Sequence, residues 1–227
     1  NPTLKNYRDM FSIMSDSLVP FLRYFFNTLI VTVAGTFGHI IIASMCAYPL
    51  AKGKNKARNI IFSIIVMSLM FNTTVTAIPS CIIMARLHWI DTYLALIVPA
   101  FSASLGLYLM KQFMEQIPDS LMEASRIDGA NHWVIFWRII MPQVKPAWLT
   151  LMLLSVQGLW NAGESPYIFS EELKSLSYSL NQIIAGGIAR AGVGAAVTVF
   201  MMTVPITIFI FSQANIIETM STSGMKD

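Results

Sequence analysis

Five charged side chains, Asp119, Glu123, Arg126, Asp128 and Arg138, stand in one stretch, Ile117–Pro142 (IPDSLMEASRIDGANHWVIFWRIIMP), between long apolar runs. Asp119, Glu123 and Arg126 are spaced to share one helical face. Carboxylates and a guanidinium on one face are docking chemistry, suited to gripping another surface in water. Phosphate chemistry is a different matter. The chain has no G-x-x-x-x-G-K-[ST] loop to cradle a nucleotide.

A second polar set lies inside apolar sequence. Asn72, Thr73, Thr74 and Thr76 precede Pro79, and Gln157, Trp160 and Asn161 end a later run. Polar groups at membrane depth face protein or water. Amides beside an aromatic ring suit ligands with apolar faces and rimming hydroxyls, such as sugar rings, so these residues are candidates for a transport pathway. The ordinary alternative is hydrogen bonding between helices. His39, in mid-run, reads as a hydrogen-bonded packing residue rather than a ligand.

The elements that must position these groups follow from composition. Apolar residues make up 55% of the chain and charged residues 12%, an inversion of the usual soluble mixture. No Asp, Glu, Lys or Arg occurs in 24–51, 59–85, 92–110, 146–163 or 191–217. Each gap reaches the roughly 18 residues of a membrane-crossing helix, and backbone in hydrocarbon must be helical to satisfy its own polar groups. The expected fold is all-α, a polytopic membrane helical bundle with five spans. Pro79, Pro99 and Pro205 fall inside spans, where kinks are tolerated. Cys46 and Cys81 lie in apolar runs and read as packing residues, not as a disulfide framework. The chain begins at Asn1 without an initiator Met or signal-like segment, so upstream spans are expected.

Charge sets the topology. The connection 52–58 (KGKNKAR) carries four basic residues and no acidic one, which places it in the cytoplasm. Alternation then puts the N-terminal segment, the 86–91 loop and the 164–190 segment outside. The 111–145 stretch and the C-terminus fall inside. The net charge of +3 belongs to these loops and argues for no nucleic-acid partner. Within 164–190, a weakly amphipathic piece and Gly186-Gly187 suggest an interfacial or re-entrant helix.

In the charged stretch, Pro118 suits a first helical turn and Asp119 the positive helix end. Leu121, Ala124 and Ser125 occupy the other side of that helix. Gly129 is placed to end it, and Asn131 to cap a second helix. There Trp133, Phe136, Trp137, Ile140 and Met141 form an apolar stripe, which Pro142 and Pro146 terminate. The expected object is a helix–turn–helix elbow with one wet and one apolar face. An interfacial helix with tryptophans at headgroup level is the plainer reading of the stripe alone.

Glu123-Ala124-Ser125, three residues, Gly129, nine residues, then Ile139-Ile140-Met141-Pro142 resembles the EAA loop of ATP-binding-cassette (ABC) importer permeases. Ser125 and Met141 depart conservatively from that family's pattern. The start, PTLKNYRDMF, and the end, IETMSTSGMKD with Gly224 and Lys226, resemble the carbohydrate-uptake subfamily of maltose-permease, MalG-like subunits. The resemblance implies a type I importer permease fold, with six spans in a full-length subunit. It divides the chain into an extracytoplasmic lead-in (1–23), a permease domain (24–217) holding the coupling loop (111–145), and a cytoplasmic tail (218–227). It implies a second permease chain (MalF-like), two ATPase subunits that bind ATP and Mg, an extracytoplasmic solute-binding protein, and a prokaryotic inner membrane. It implies no catalytic residue, metal or cofactor in this chain. Glu123, Ala124, Ser125, Arg126, Asp128, Gly129, Ile139 and Pro142 would then couple to the ATPases. A permease for amino acids, peptides or polyamines shares the same loop. From other classes, an ion-coupled carrier or a docking scaffold stays open, although only His39 is ionisable near a span centre.

Overall fold

The computed structural model describes residues 4–15, 19–53, 57–71, 73–185 and 191–223, with side chains described except at 14–15, 73–74 and 214–223. Among the described residues there are helices and no strand. In order these are α1 (Lys5–Ser15), α2 (Phe21–Lys52), α3 (Ala57–Ser68), α4 (Thr73–Arg86), α5 (Leu94–Phe101), α6 (Ser104–Glu115), α7 (Asp119–Ile127) and α8 (His132–Val134). A widened π turn (Ile135–Ile140) follows, then α9 (Met141–Gln143), α10 (Lys145–Trp160), a 3₁₀ turn (Glu171–Leu173), α11 (Leu176–Ile184) and α12 (Ala191–Ser223).

Helix α2 is inside out by the standards of a soluble protein. Its buried face carries Asn27, Thr28, Thr32, Thr36, His39 and Ser44, while Leu22, Phe26, Ile30, Val33, Phe37 and Ile41 are exposed. Polar groups turn inward only where the surroundings cannot hydrogen-bond them, so the outward face of α2 is built for lipid or another apolar surface. Cys46 and Cys81, expected to pack inside, are free and exposed; thiols are apolar enough for such a surface.

The span count differs from five unbroken helices. Phe21–Lys52, Leu94–Glu115 and Ala191–Gln213 are long and apolar enough to cross a membrane, and α8–α9 with α10 form a pair bent by 77°. The 59–85 run is two short helices. At its middle, Leu69, Met70 and Phe71 donate to the carbonyls of Val66, Met67 and Ser68. Those three-residue bonds tighten the turn and end α3. The polar and β-branched cluster from Asn72 onward disfavours continuation. Asn72 itself lies outside the described residues, as do Gly186-Gly187, Gly224 and Lys226. Pro79, Pro99 and Pro205 are inside helices as expected, and α2 holds a further one, Pro49. Helix α12 continues to Ser223, past the expected end of the last span.

The chain divides into two compact units. The first takes Asn1–Thr36, Ile78–Ala100 and Leu154–Ile210; the second takes Phe37–Ala77, Phe101–Leu153 and Phe211–Asp227. The first unit's core gathers Met10, Tyr24, Trp160, Leu176, Leu180 and Val197. In the second, Ala43, Ala47 and Ala51 of α2 meet Met110, Met114, Ile135, Phe136 and Ile140. Alanines at helical spacing let bulky partners approach closely, and close packing is what joins helices where water exclusion cannot.

Candidate functional site

The elbow lies within the second unit and is built by local signals. Helix α6 ends at Glu115, and Pro118, with extended backbone, stands just before α7. Pro118 is therefore the cap, one position earlier than its expected place in the first turn. At the far end Gly129 has φ of +82°. The Ala130 N–H donates to the Ser125 carbonyl (2.9 Å) and the Gly129 N–H to the Arg126 carbonyl (3.0 Å). That pair of bonds is the Schellman closure, with glycine at the left-handed position. A Cβ at Gly129 would meet nothing within 4 Å, so conformation, not crowding, selects glycine. Asn131 caps α8 as expected, its Oδ1 accepting from Val134 N at 2.9 Å.

The second arm departs from the 3.6-residue stripe. Ile135–Ile140 is a π turn, in which the Met141 N–H reaches back to the Phe136 carbonyl. Ile135, Phe136 and Ile140 are buried, whereas Trp133 and Trp137 are 59% and 43% exposed. An α-helical period is too short for this stripe. Pro142 cannot donate to Arg138, and its ring would press on that carbonyl; the wide turn before it relieves that conflict. Ile139 packs against the core as a partly buried residue. The exposed tryptophans suit headgroup level.

Helix α7 is presented rather than packed. Met122 is its buried residue, Ser125 is half-buried, and Glu123, Ala124, Arg126, Asp128 and Gly129 are exposed. The Ser125 hydroxyl turns inward to the Leu121 carbonyl (2.6 Å), leaving a low profile beside Ala124. Asp119, Glu123 and Arg126 come together as their spacing predicts. They line a polar cleft of about 560 Å³ with Lys52, Gly53, Arg58, Asn59 and His132. The Lys52 ammonium contacts the Asp119 carboxylate at 2.9 Å. Arg58 donates to the Gly53 carbonyl (2.7 Å), closing the end of α2. The Tyr48 hydroxyl lies 3.2 Å from His132 Nδ1.

The pathway candidates separate. Gln157, on α10, and Asn161, just past its end, are both exposed, with the Asn161 side-chain amide donating to the Gln157 carbonyl (2.9 Å). Trp160, expected beside them, turns the other way. It is 1% exposed, and its indole N–H donates to the Met201 carbonyl (3.0 Å) within the first unit's core. Thr73 and Thr74 open α4, but their side chains lie outside the described set. His39 is a packing residue as expected, buried, with Nε2 3.0 Å from the Ala103 carbonyl and against Gly106, whose missing Cβ makes room for the ring.

The family of binding-protein-dependent transport system inner membrane components matches residues 39–221, a range that includes the whole elbow. The chain belongs to this family.

As such a component it is membrane-embedded, in agreement with the reversed polarity of α2. LplC of Bacillus subtilis is 35% identical over 70% of this chain and 52% of its own length. The arabinooligosaccharides transport permease AraQ of the same species is 28% identical over 91% of this chain and 74% of AraQ. The sn-glycerol-3-phosphate permease UgpE of Yersinia enterocolitica is 29% identical over 70% of this chain and 57% of UgpE. The chain thus spans about half of some curated relatives' length. A solved bacterial ABC transporter involved in import of the acidic polysaccharide alginate is similar with a TM-score of 0.70 and 26% identity, over 96% of this chain and 78% of that one.

The inner-membrane component also holds groups that its sequence did not single out. In sequence Lys52 is one basic residue of a topogenic cluster, Ile127 one apolar residue at the end of α7, where it is 87% exposed, and Asn27 a lone amide in an apolar run. In the first unit its amide donates to the carbonyls of Glu172 (2.7 Å) and Lys174 (3.1 Å) and accepts from the Tyr93 hydroxyl (2.6 Å). The one available signal was its polarity at a position where lipid would penalise it.

Proposed function

We propose that this permease component serves an ABC importer for a carbohydrate, a mono- or oligosaccharide, and that α7 is the helix through which partner ATPases drive it. The observation that carries the reading is a helix fixed at both ends yet exposed over nearly all its surface, with one side chain, Met122, buried. Glu123 would hold a basic residue of the ATPase. Ala124, Ser125 and Gly129 permit close seating, Arg126 and Asp128 flank the contact, and Ile139 and Pro142 brace the elbow. ATP and Mg would be bound by the two ATPases. Their closure would swing this chain and a MalF-like second permease between inward-open and outward-open states, a rigid-body two-state change. A solute-binding protein would deliver the substrate from outside, where the N-terminal segment of this chain lies. The elbow and C-terminus would be cytoplasmic, by the basic excess in 52–58. Gln157 and Asn161 are the pathway candidates with exposed amides.

The carbohydrate reading is supported by the names of AraQ and of the alginate transporter. The UgpE name favours a second reading, a phosphorylated polyol. Calorimetry of the partner binding protein against sugars, sn-glycerol 3-phosphate, amino acids and polyamines separates the two; binding of an amino acid or polyamine alone overturns both. For coupling, Glu123→Lys or Gly129→Asp is expected to cut transport at least about tenfold, the scale of coupling between sites, while the subunit still reaches the membrane. Normal transport with full ATPase stimulation in these variants makes the coupling role wrong.

A further inference from the structure

Lys52 is the last residue of α2, and its ammonium is spent entirely on the chain that leads into α7. It donates to the carbonyls of Ile117 and of Glu115 (3.4 Å), and to the Asp119 carboxylate (2.9 Å). Three donors meet three acceptors spread from the last turn of α6 to the first residue of α7. The Glu115 carbonyl belongs to the end of α6, where carbonyls lack partners within the helix and a cation is favoured, and the Ile117 carbonyl lies in the turn just beyond it. The lysine side chain is 6% exposed and the Asp119 side chain 74%. The lysine is therefore held by its surroundings while its acidic partner stands in water. Beneath it, the end of α2 is stiff. Gly53 N–H bonds back to Pro49, Arg58 donates to the Gly53 carbonyl, and a Cβ on Gly53 would sit 2.3 Å from the Pro49 oxygen. Above it, α7 buries one side chain, Met122, and further along its length Arg126 bonds the Tyr48 hydroxyl of α2, so Lys52 is the tie at the entry to α7.

From this arrangement we infer that Lys52 is the positioning residue that carries displacement of α7 into the spanning helix α2. The inference rests on the reading of α7 as the coupling helix. A displacement of Asp119 or of the 115–117 turn pulls on bonds that converge on one ammonium, and that ammonium sits on the terminus of α2. Lys52 touches neither nucleotide nor substrate. Its effect belongs in the transmission of movement, so the informative readout is solute moved per ATP hydrolysed rather than either rate alone.

The test uses the assembled importer, with its own second permease, ATPases and binding protein, in proteoliposomes. Lys52→Met leaves Asp119 and the loop carbonyls near water, so ATPase subunits should still copurify. Transport per ATP should fall about tenfold, a typical coupling free energy between sites. Lys52→Arg, which keeps charge and donors, should recover most of it. If Glu123→Lys uncouples while Lys52→Met moves solute per ATP like the parent, the Lys52 role is overturned and the coupling helix stands. If Glu123→Lys and Gly129→Asp both leave transport intact, the coupling-helix reading itself falls. Should Lys52→Met assemble poorly, Lys52→Gln, which keeps amide donors but not the charge, is read in the same way: a fall in transport per ATP in assembled importer supports the role, and transport per ATP like the parent's overturns it.

Discussion

Two polar segments interrupt the apolar helices, and they are secured in opposite ways. The elbow around α7, in the second unit, leaves its charged side chains largely exposed and is tied at its entry by Lys52 and along its length by Arg126 to the Tyr48 hydroxyl. The 164–178 segment, in the first unit, is laced to its own helices. Asp91 accepts from the N–H groups of Phe169 (3.0 Å) and Ser170 (2.9 Å) and from the Ser170 hydroxyl. Tyr24 donates to Glu171 (2.8 Å), Thr28 accepts from the Leu176 N–H (2.8 Å), and Asn27 holds two carbonyls. Glu171 and Lys174 pair at 2.8 Å; the adjacent carboxylate and the Tyr178 hydroxyl hold the Lys174 pKa above its ordinary value. A segment whose polar groups are satisfied internally holds its own shape. One that keeps most of its surface exposed has room for a partner.

Removing the hub of the laced segment should have the largest effect on stability. Asn27→Leu leaves the Lys174 carbonyl and the Tyr93 hydroxyl without this partner, and leaves the Glu172 carbonyl only the longer bond from Arg23 Nε (3.4 Å). Each unsatisfied group costs about 1–3 kcal/mol when buried. The expected loss is about 3 kcal/mol in denaturant unfolding of the purified protein in micelles, followed by tryptophan fluorescence. An unchanged midpoint would mean that the segment is held elsewhere and would erase the contrast with α7.

The converse holds for α7. Ile127, 87% exposed, should contribute nothing measurable to the subunit's own stability. Ile127→Ala is expected to stay within about 0.5 kcal/mol of the parent. If the ATPase covers this residue fully, the same change should weaken ATPase association by tenfold or more, as loss of about 2 kcal/mol of buried side chain would. The two measurements together, unfolding of the lone subunit and titration of the ATPase onto it in nanodiscs, sharpen the contrast. A large stability loss with intact binding would break it.

What the sequence revealed was what is local. The glycine closure at 129 and the asparagine cap at 131 each depend on groups within five residues, and both are where the spacing puts them. The uncharged runs located apolar helix, because burial of backbone in lipid depends on composition alone. Failures came where distant parts decide. Lys52 finds its acceptors 63 to 67 residues away, and Asn27 finds carbonyls 145 and 147 residues away. No periodicity announces either. Trp160 read as a pathway residue by its neighbours Gln157 and Asn161, but one helical position turns it into the core. The apolar stripe in 133–141 has an α period in sequence, and the turn there is wider because of the proline that follows, a local effect.

The smallest effect is expected at Asp91, and its sign is fixed. Its carboxylate accepts from the Ser170 hydroxyl and then from the Ser170 and Phe169 N–H groups, which hold its pKa below the ordinary carboxylate value. A carboxylate with a depressed folded-state pKa stabilises the fold above its unfolded pKa. That contribution disappears as the pH falls through the folded value. Water screens this exposed group, so the gain is modest. Stability of the parent protein should be flat from neutral pH down to about 5 and dip further into acid. Asp91→Asn keeps the side-chain oxygen as an acceptor but cannot titrate, so its acid dip should be shallower than the parent's. Identical acid limbs for the two proteins would show that the clamp on 167–170 is made by the backbone bond from Asp91 to Tyr167 (2.9 Å), and that the laced segment owes less to its carboxylate than its geometry suggests.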